Sequence, residues 1–395
     1  MIGCAETHFD PERATHMKID FKPSQRATLG VEWELTVVDL ATLEQVPEAH
    51  RVLDGVEDPV NGPIRAEYLR SMIELVSGVH TSVGGVVSEM DALMHHVIES
   101  LEPHGLAVMA MGAHPFADPA QQQPVKKAQY RRVRERNGWW GGQMAVNGVH
   151  IHAGVDDRSK ALPVTYGLAR FIPYFIALSA SSPFWMGTDT AFASQRTMMF
   201  QQLPTNGLPY HMSSWKEFER YATELEGVGM IQSPSEIRWD VRPSTFGTVE
   251  NRSMDCVPTV FEIGALAALT QCLVEWMSRE LDAGREIERL AFWFMRENKW
   301  RAARYGLGAE VVTPRPHEHT LALREGLLHW LQRLEPIADE LGCSSQLADC
   351  VELVHRGPSY VRQRRVATAT DGDLSAVLRA TISETMGGRP HFKDS

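Results

Sequence analysis

The chain has 395 residues, of which 43% are apolar and 23% charged, enough for a sizeable core in one large domain or two. Its formal net charge of −11 and the lack of a long Lys/Arg run argue against a nucleic-acid partner, and no apolar window of membrane length is free of charge. Five scattered cysteines (Cys4, Cys256, Cys272, Cys343, Cys350) form no CxxC pair and the N-terminus lacks a signal-peptide pattern, so free thiols and a cytoplasmic location are expected.

Residues 1–25 show no period and read as an irregular arm. A first strand is predicted over 29–39, where GVEWEL sets Glu32 and Glu34 on the face opposite Val31, Trp33 and Leu35. Residues 40–58 read as loop. Glu67 and Glu74, seven apart, either share a helix face or sit on a turn and a following strand. MIELVS has no helical stripe, which favours a strand over 72–77 with Glu74 facing away from Ile73 and Leu75. An apolar stripe at helical spacing predicts a helix over 82–104, ended by Gly105, and a short strand follows over 106–112.

Residues 119–142 read as a mobile polar loop with helical pieces. Its basic cluster, RRVRER at 131–136, suits a solvated helix face or an anion contact. NGVHIHAG, inside a strand over 146–155, puts His150 and His152 on one face. An apolar helix over 163–180 leads to a stretch rich in small residues (181–210). That stretch reads as a ligand-facing loop running into a helix, with Arg196 in its middle. After a helix over 215–225, residues 237–255 read as a hairpin. Arg238, Asp240 and Arg242 share one face of it, Asp240 holding the two arginines. Beyond the PSTFG turn, Thr248, Glu250 and Arg252 share a face again. Helices are expected over 259–282 and 286–305, and a helical bundle over 314–384. A single catalytic domain would thus span 26–385, with its helical C-terminal part from about 285 and a frayed tail from 386.

P-loop, GxGxxG, HExxH and GxSxG motifs are all lacking, and nothing singles out a serine or cysteine nucleophile. What repeats is a strand with an apolar back and a front of Glu, His or Arg. Side by side, such strands make a floor suited to divalent metal and phosphate. Exposed glutamates on a wet sheet face are the bland alternative, and two histidines with two carboxylates also suit zinc. The excess of glutamate and arginine favours Mg²⁺ bridged to polyphosphate, with guanidinium forks on the phosphate oxygens. Arg252, two residues from Glu250, is the candidate for stabilising a transferring phosphoryl group. A kinase and a nucleotide-binding regulator without turnover remain open on these residues alone.

Several stretches resemble the carboxylate–amine ligase family related to glutamate–cysteine ligase type 2. They are TLGVEWEL, the Glu67 to Glu74 stretch, MGAHPF, NGVHIHAGV, LSASSPFWMGTDTAFASQR, LPTNGLPY, RWDVRPSTFGTVENRSMD and RENKWRAARYGL, in the family's order across about residues 28–380. The resemblance implies an α+β fold like that of glutamine synthetase, with a curved, mostly antiparallel sheet and helices on its outer face. It implies that ATP and Mg²⁺ activate the side-chain carboxylate of glutamate, or a similar acid, as an acyl phosphate. An amine such as cysteine then forms the amide, and ADP and phosphate leave. On this resemblance Glu32, Glu34, Glu74, His150 and Glu250 are metal ligands, and Glu67, His152 and Arg238 bind nucleotide. Arg252, Arg196 and Arg242 are the catalytic candidates. The partners expected are small-molecule substrates and a second copy in a homodimer, with no nucleic acid and no membrane.

Overall fold

The computed structural model describes residues 17–314 and 320–392. Most of the expected arm (residues 1–16) and Cys4 lie outside the described residues. Seven antiparallel strands form the main sheet: β1 (Leu29–Asp39), β2 (Ile64–Ala66), β3 (Met72–Val76), β4 (Leu106–Met109), β5 (Gly148–Gly154), β6 (Val241–Pro243) and β7 (Thr248–Asp255). They lie in the order β6-β7-β5-β1-β3-β2, and β4 pairs with the far end of β1.

The period of two in β1 decides which way the sheet faces. Val31, Trp33, Leu35 and Val37 are essentially inaccessible on its back, and the Trp33 indole donates to the Val257 carbonyl at 3.0 Å. Each such apolar side chain contributes about 1.5–3 kcal/mol by burial. Helices Val83–Leu101 and Val260–Asp282 cover that back. They begin at Ser82 and Thr259, whose hydroxyls accept the backbone N–H of Gly85 and Glu262. Val260–Asp282 is long and apolar enough to cross a membrane, yet 94% of its apolar window is buried inside the protein. Its Glu262 is paired at 2.9 Å with Arg362, which also binds Glu384. Helices Leu323–Leu341 and Ser344–Arg356 pack on it from outside, and Ser359–Ala369 and Leu374–Gly387 complete the helical part.

Five expectations need correction. Within the stretch read as a polar loop with helical pieces, residues 128–142 form a helix of their own, broken at Gly138 (φ 54°). Their polarity misled because the charges find partners across space, as in the Arg132–Glu236 pair at 2.5 Å. The apolar helix over 163–180 is two helices, Arg158–Ala169 and Ile172–Ser179, bent by 57°. Pro173 enforces the break, since it lacks the N–H that would continue the first helix. Arg238–Trp239 pairs in parallel with Asn206–Gly207 instead of extending the hairpin, so only β6 and β7 form it. Asp240 does not hold Arg238 and Arg242; it is buried against the Lys299 ammonium at 2.6 Å. At the C-terminus, helix Leu374–Gly387 runs past residue 386, and Phe392 lies edge-on to Phe261.

The MGAHPF stretch follows β4 and carries a pH-sensitive tie. His114 is buried; its Nε2 donates to the Leu43 carbonyl and its Nδ1 accepts the Ala117 N–H, both at 2.9 Å. That pattern fixes a neutral ring. Burial pushes its pKa down from 6.5 to about 4, against the opposing pull of the Leu43 carbonyl. The unfolded chain therefore takes up this proton first, and the contribution of His114 is complete above pH 6.5 and lost as pH falls towards 4. The expected loss is about 3 kcal/mol. Urea midpoints between pH 7.5 and 4.5 should show this slope in the native protein and a shallower one in His114→Asn; equal slopes would exclude this origin.

Candidate active site

The register of the sheet brings the polar faces together. Glu32 lies opposite His150, Glu34 opposite Glu74, His152 opposite Glu250, and Glu250 opposite Arg242. A bulge after Asn251 interrupts β7, and the Arg252 N–H leaves the ladder for the Asp240 carbonyl at 2.7 Å. The Arg252 side chain stays on the floor, against Glu250, with Nη1 3.3 Å from His150 Nδ1. Glu32 Oε2 is 2.8 Å from that same Nδ1, and Glu32 Oε1 is 3.4 Å from His152 Nε2. His152 Nδ1 meets the Thr248 hydroxyl at 2.9 Å. Arg242 is tied down through two of its nitrogens: Nε donates to Glu250 at 2.7 Å, and Nη1 donates to the carbonyls of Ser235 and Ile237.

Charge divides the carboxylates into two groups. Burial alone would raise Glu250, but the guanidinium groups of Arg242 and Arg252 hold it well below the usual range. Glu32 is also held down despite burial, by hydrogen bonds from His150 and His152. Burial and then Glu67 push Glu34 up to about 7, and burial with Glu32, Glu67 and Glu34 pushes Glu74 well up. Three acids (Glu34, Glu67 and Glu74) thus crowd one end of the floor with too little positive charge between them.

A hard cation fits that deficit. Ligand atoms of Glu32, His150 and Glu250 lie within 4.8 Å of one another, as do those of Glu34, Glu74 and His150. His150 Nε2 is buried without a hydrogen-bond partner, 3.7 Å from Glu34 Oε1. Oxygen-rich sets with one imidazole suit Mg²⁺ better than zinc. Two cavities flank the His150–Arg252 ridge. One, of about 110 Å³, is lined by Glu34, Glu67, Tyr130, Arg196 and Arg238 among others. The other, of about 190 Å³, meets Glu32, His152, Arg242, Glu250 and the exposed ring of Phe246. All eleven candidate residues therefore converge on one floor and its margins, with Glu67, Arg196 and Arg238 meeting it through the first cavity.

Against this geometry the profile of glutamate–cysteine ligase family 2 (GCS2) matches residues 28–380. The chain belongs to that family. A relative from Paenarthrobacter aurescens (strain TC1), provisionally named glutamate–cysteine ligase 2-2, is 45% identical over 94% of this chain and 99% of its own. One from Arthrobacter sp. (strain FB24), provisionally named glutamate–cysteine ligase 2-1, is 46% identical over the same shares. Among solved structures, the glutamate–cysteine ligase of Francisella tularensis in complex with AMP superposes with a TM-score of 0.65 at 12% identity, covering 93% of this chain and 90% of that one. The bifunctional glutathione synthetase of Pasteurella multocida gives 0.62 at 14% identity, over 91% of this chain and 52% of that one. These two establish the shared fold. Family membership makes the chain an ATP-dependent carboxylate–amine ligase.

Several residues of this ligase's site carried no sequence signal. Tyr130 donates to Glu67 at 3.2 Å from a helix read as loop. Asp255 accepts from the Ser181 N–H and the hydroxyls of Ser182 and Ser194, tying β7 to the segment that bears Arg196. Gly148 is where Arg196 crosses β5: a Cβ there would lie 2.2 Å from Arg196 Nη2. Gly148→Ala is expected to displace the guanidinium and lower ligase kcat/KM about 10–100-fold. Steady-state kinetics with thermal melting as control would check this, and unchanged kinetics would show that Arg196 has slack.

Proposed function

We propose that this ligase joins the side-chain carboxylate of glutamate, or of a similar acid, to an amine such as cysteine, using ATP with Mg²⁺. One observation carries the reading: a buried, partly unsatisfied guanidinium, Arg252, stands beside five metal-type ligands on a single floor. Glu32, Glu34, Glu74, His150 and Glu250 would hold the metal, which when bound screens phosphate charge and orients the γ-phosphate. A carboxylate oxygen of the acid attacks the γ-phosphorus, ADP leaves, and an acyl phosphate results. The amine nitrogen then attacks the acyl carbon and phosphate departs. Arg252 faces the phosphoryl group in flight, where its fork stabilises the developing charge. Arg242 acts through Glu250, which it orients. His152 and Arg238 bound the nucleotide and phosphate path. The chemistry needs no side-chain nucleophile, and Cys256 fits that picture: it is buried behind the sheet, with its thiol pushed well up by burial.

The test is ADP release with Mg²⁺-ATP and glutamate, with and without hydroxylamine. Glutamate-dependent ADP and a hydroxamate are expected. ADP without hydroxamate would replace the ligase step by simple phosphoryl transfer.

A further inference from the structure

Lys299 is a charged side chain that the reaction above does not use. It is 4% exposed, on helix Phe292–Tyr305, and its ammonium donates at 2.6 Å to the carboxylate of Asp240, a residue 2% exposed. A buried ion pair of this kind is weak support for a fold, since desolvation offsets its attraction and well-packed apolar side chains serve as well. What it supplies is a fixed geometry, and the main chain of Asp240 uses it. The Asp240 N–H donates to the Gly207 carbonyl and its carbonyl accepts the Arg252 N–H, both at 2.7 Å. The second bond stands at the bulge in β7, where the Arg252 N–H has left the ladder and has no partner in β5. The neighbouring Asn251 side chain accepts from the N–H and hydroxyl of Ser253, so it holds the residue after Arg252 rather than Arg252 itself. The helix that bears Lys299 is braced in turn. Asn298 exchanges two hydrogen bonds with Val312, at 2.7 and 2.9 Å, and the Ala303 carbonyl accepts the N–H groups of Ala193 and Ser194. Lys299 therefore reaches from a fixed support to Asp240 and, through the Asp240 carbonyl, to Arg252.

We infer that Lys299 is a positioning residue: by anchoring Asp240 to helix Phe292–Tyr305 it sets the main chain of Arg252, and with it the guanidinium that faces the phosphoryl group. This rests on the ligase reading. Three contacts in line make the link: the ammonium on the Asp240 carboxylate, the Asp240 carbonyl on the Arg252 N–H, and the Arg252 side chain between Glu250 and His150. Without the ammonium the Asp240 carboxylate is buried and unpaired. It then moves to find a partner, and the carbonyl of the same residue moves with it. A displacement of about 1 Å at a group that stabilises developing charge is enough for a loss of rate of about 100-fold.

A double-mutant cycle separates positioning from support of the fold. Lys299→Met should lower kcat for hydroxamate formation about 30–100-fold, with the dissociation constant for Mg²⁺-ATP within about threefold of native. In an Arg252→Met background the same substitution should cost less than about threefold, because the group that Lys299 positions is gone. Support of the fold alone would cost the same factor in both backgrounds, and that result would overturn the inference. Asp240→Asn combined with Lys299→Met leaves no charge buried alone, so it guards against a single variant that does not fold. This neutral pair should melt near the native protein and still lose kcat at least about 10-fold; native kcat in it would also overturn the inference. Absence of hydroxamate from the native enzyme would instead sink the ligase reading. Amide hydrogen exchange, which needs no turnover, then decides on Lys299. In the neutral pair, exchange at the Arg252 amide should rise at least about 10-fold while the amides of β1 keep their native protection. An Arg252 amide as protected as in the native protein would refute the anchoring.

Discussion

Replacing Arg252 by methionine is expected to lower kcat about 10³-fold while the dissociation constant for Mg²⁺-ATP stays within about threefold. The geometry gives the reason. Arg252 lies between Glu250 and His150, with its Nε turned to no protein acceptor. A guanidinium so placed gains most when negative charge builds on a neighbouring oxygen, which happens in the transition state rather than in bound ATP. Methionine keeps length and loses charge, and Glu250 keeps Arg242 at 2.7 Å, so the variant does not leave a bare carboxylate buried. Arg252→Lys should recover only a fraction, since a point charge cannot present two parallel donors. Initial rates across an ATP series, with an independent binding titration, separate the cases. A loss of affinity as large as the loss of turnover would make Arg252 an ordinary ground-state phosphate contact.

The floor was legible in the sequence because a strand has a period of two. Glu32 with Glu34, and His150 with His152, could be placed on common faces from spacing alone, and the apolar alternates between them marked the buried back. The long helices were legible for the same kind of reason, through stripes and caps. The remaining features depend on contacts distant in sequence. Lys299 is 59 positions from Asp240, and nothing local announces the pair. Helix Ala128–Gly142 is too polar to look helical by pattern, and Arg132 and Tyr130 gain their partners only once Glu236 and Glu67 are brought near. Family resemblance supplied the order of the motifs. The division of the carboxylates into two held down and three pushed up comes from the packing, because burial and neighbouring charge are properties of the folded chain.

That division separates two substitutions that look equivalent in sequence, Glu32→Gln and Glu250→Gln. Glu250 is 1% exposed and neutralises Arg242 and Arg252 together. Its glutamine variant leaves two buried guanidinium groups without their common counter-ion, which costs about 3–5 kcal/mol of folding stability. Its pH signature has a definite sign: a carboxyl held below its ordinary value stabilises fully above that value and loses the contribution as pH falls beneath it. Glu32 lies on the central strand β1, with a side chain 22% exposed; its hydrogen-bonding neighbours are the two imidazoles, and it is not the counter-ion that an arginine is paired with. Glutamine there still hydrogen-bonds to His150, so the stability loss should stay within about 1.5–3 kcal/mol. Turnover should nevertheless fall about 10³-fold, because a neutral amide is a poor ligand for a hard cation. Urea unfolding with ADP release on both variants tests the pair together. Expected are a folded, inactive Glu32→Gln and a Glu250→Gln whose midpoint has dropped markedly. A stable Glu250→Gln would mean that another anion serves the two arginines. An active Glu32→Gln would move the metal to the Glu34, Glu74 and His150 end of the floor.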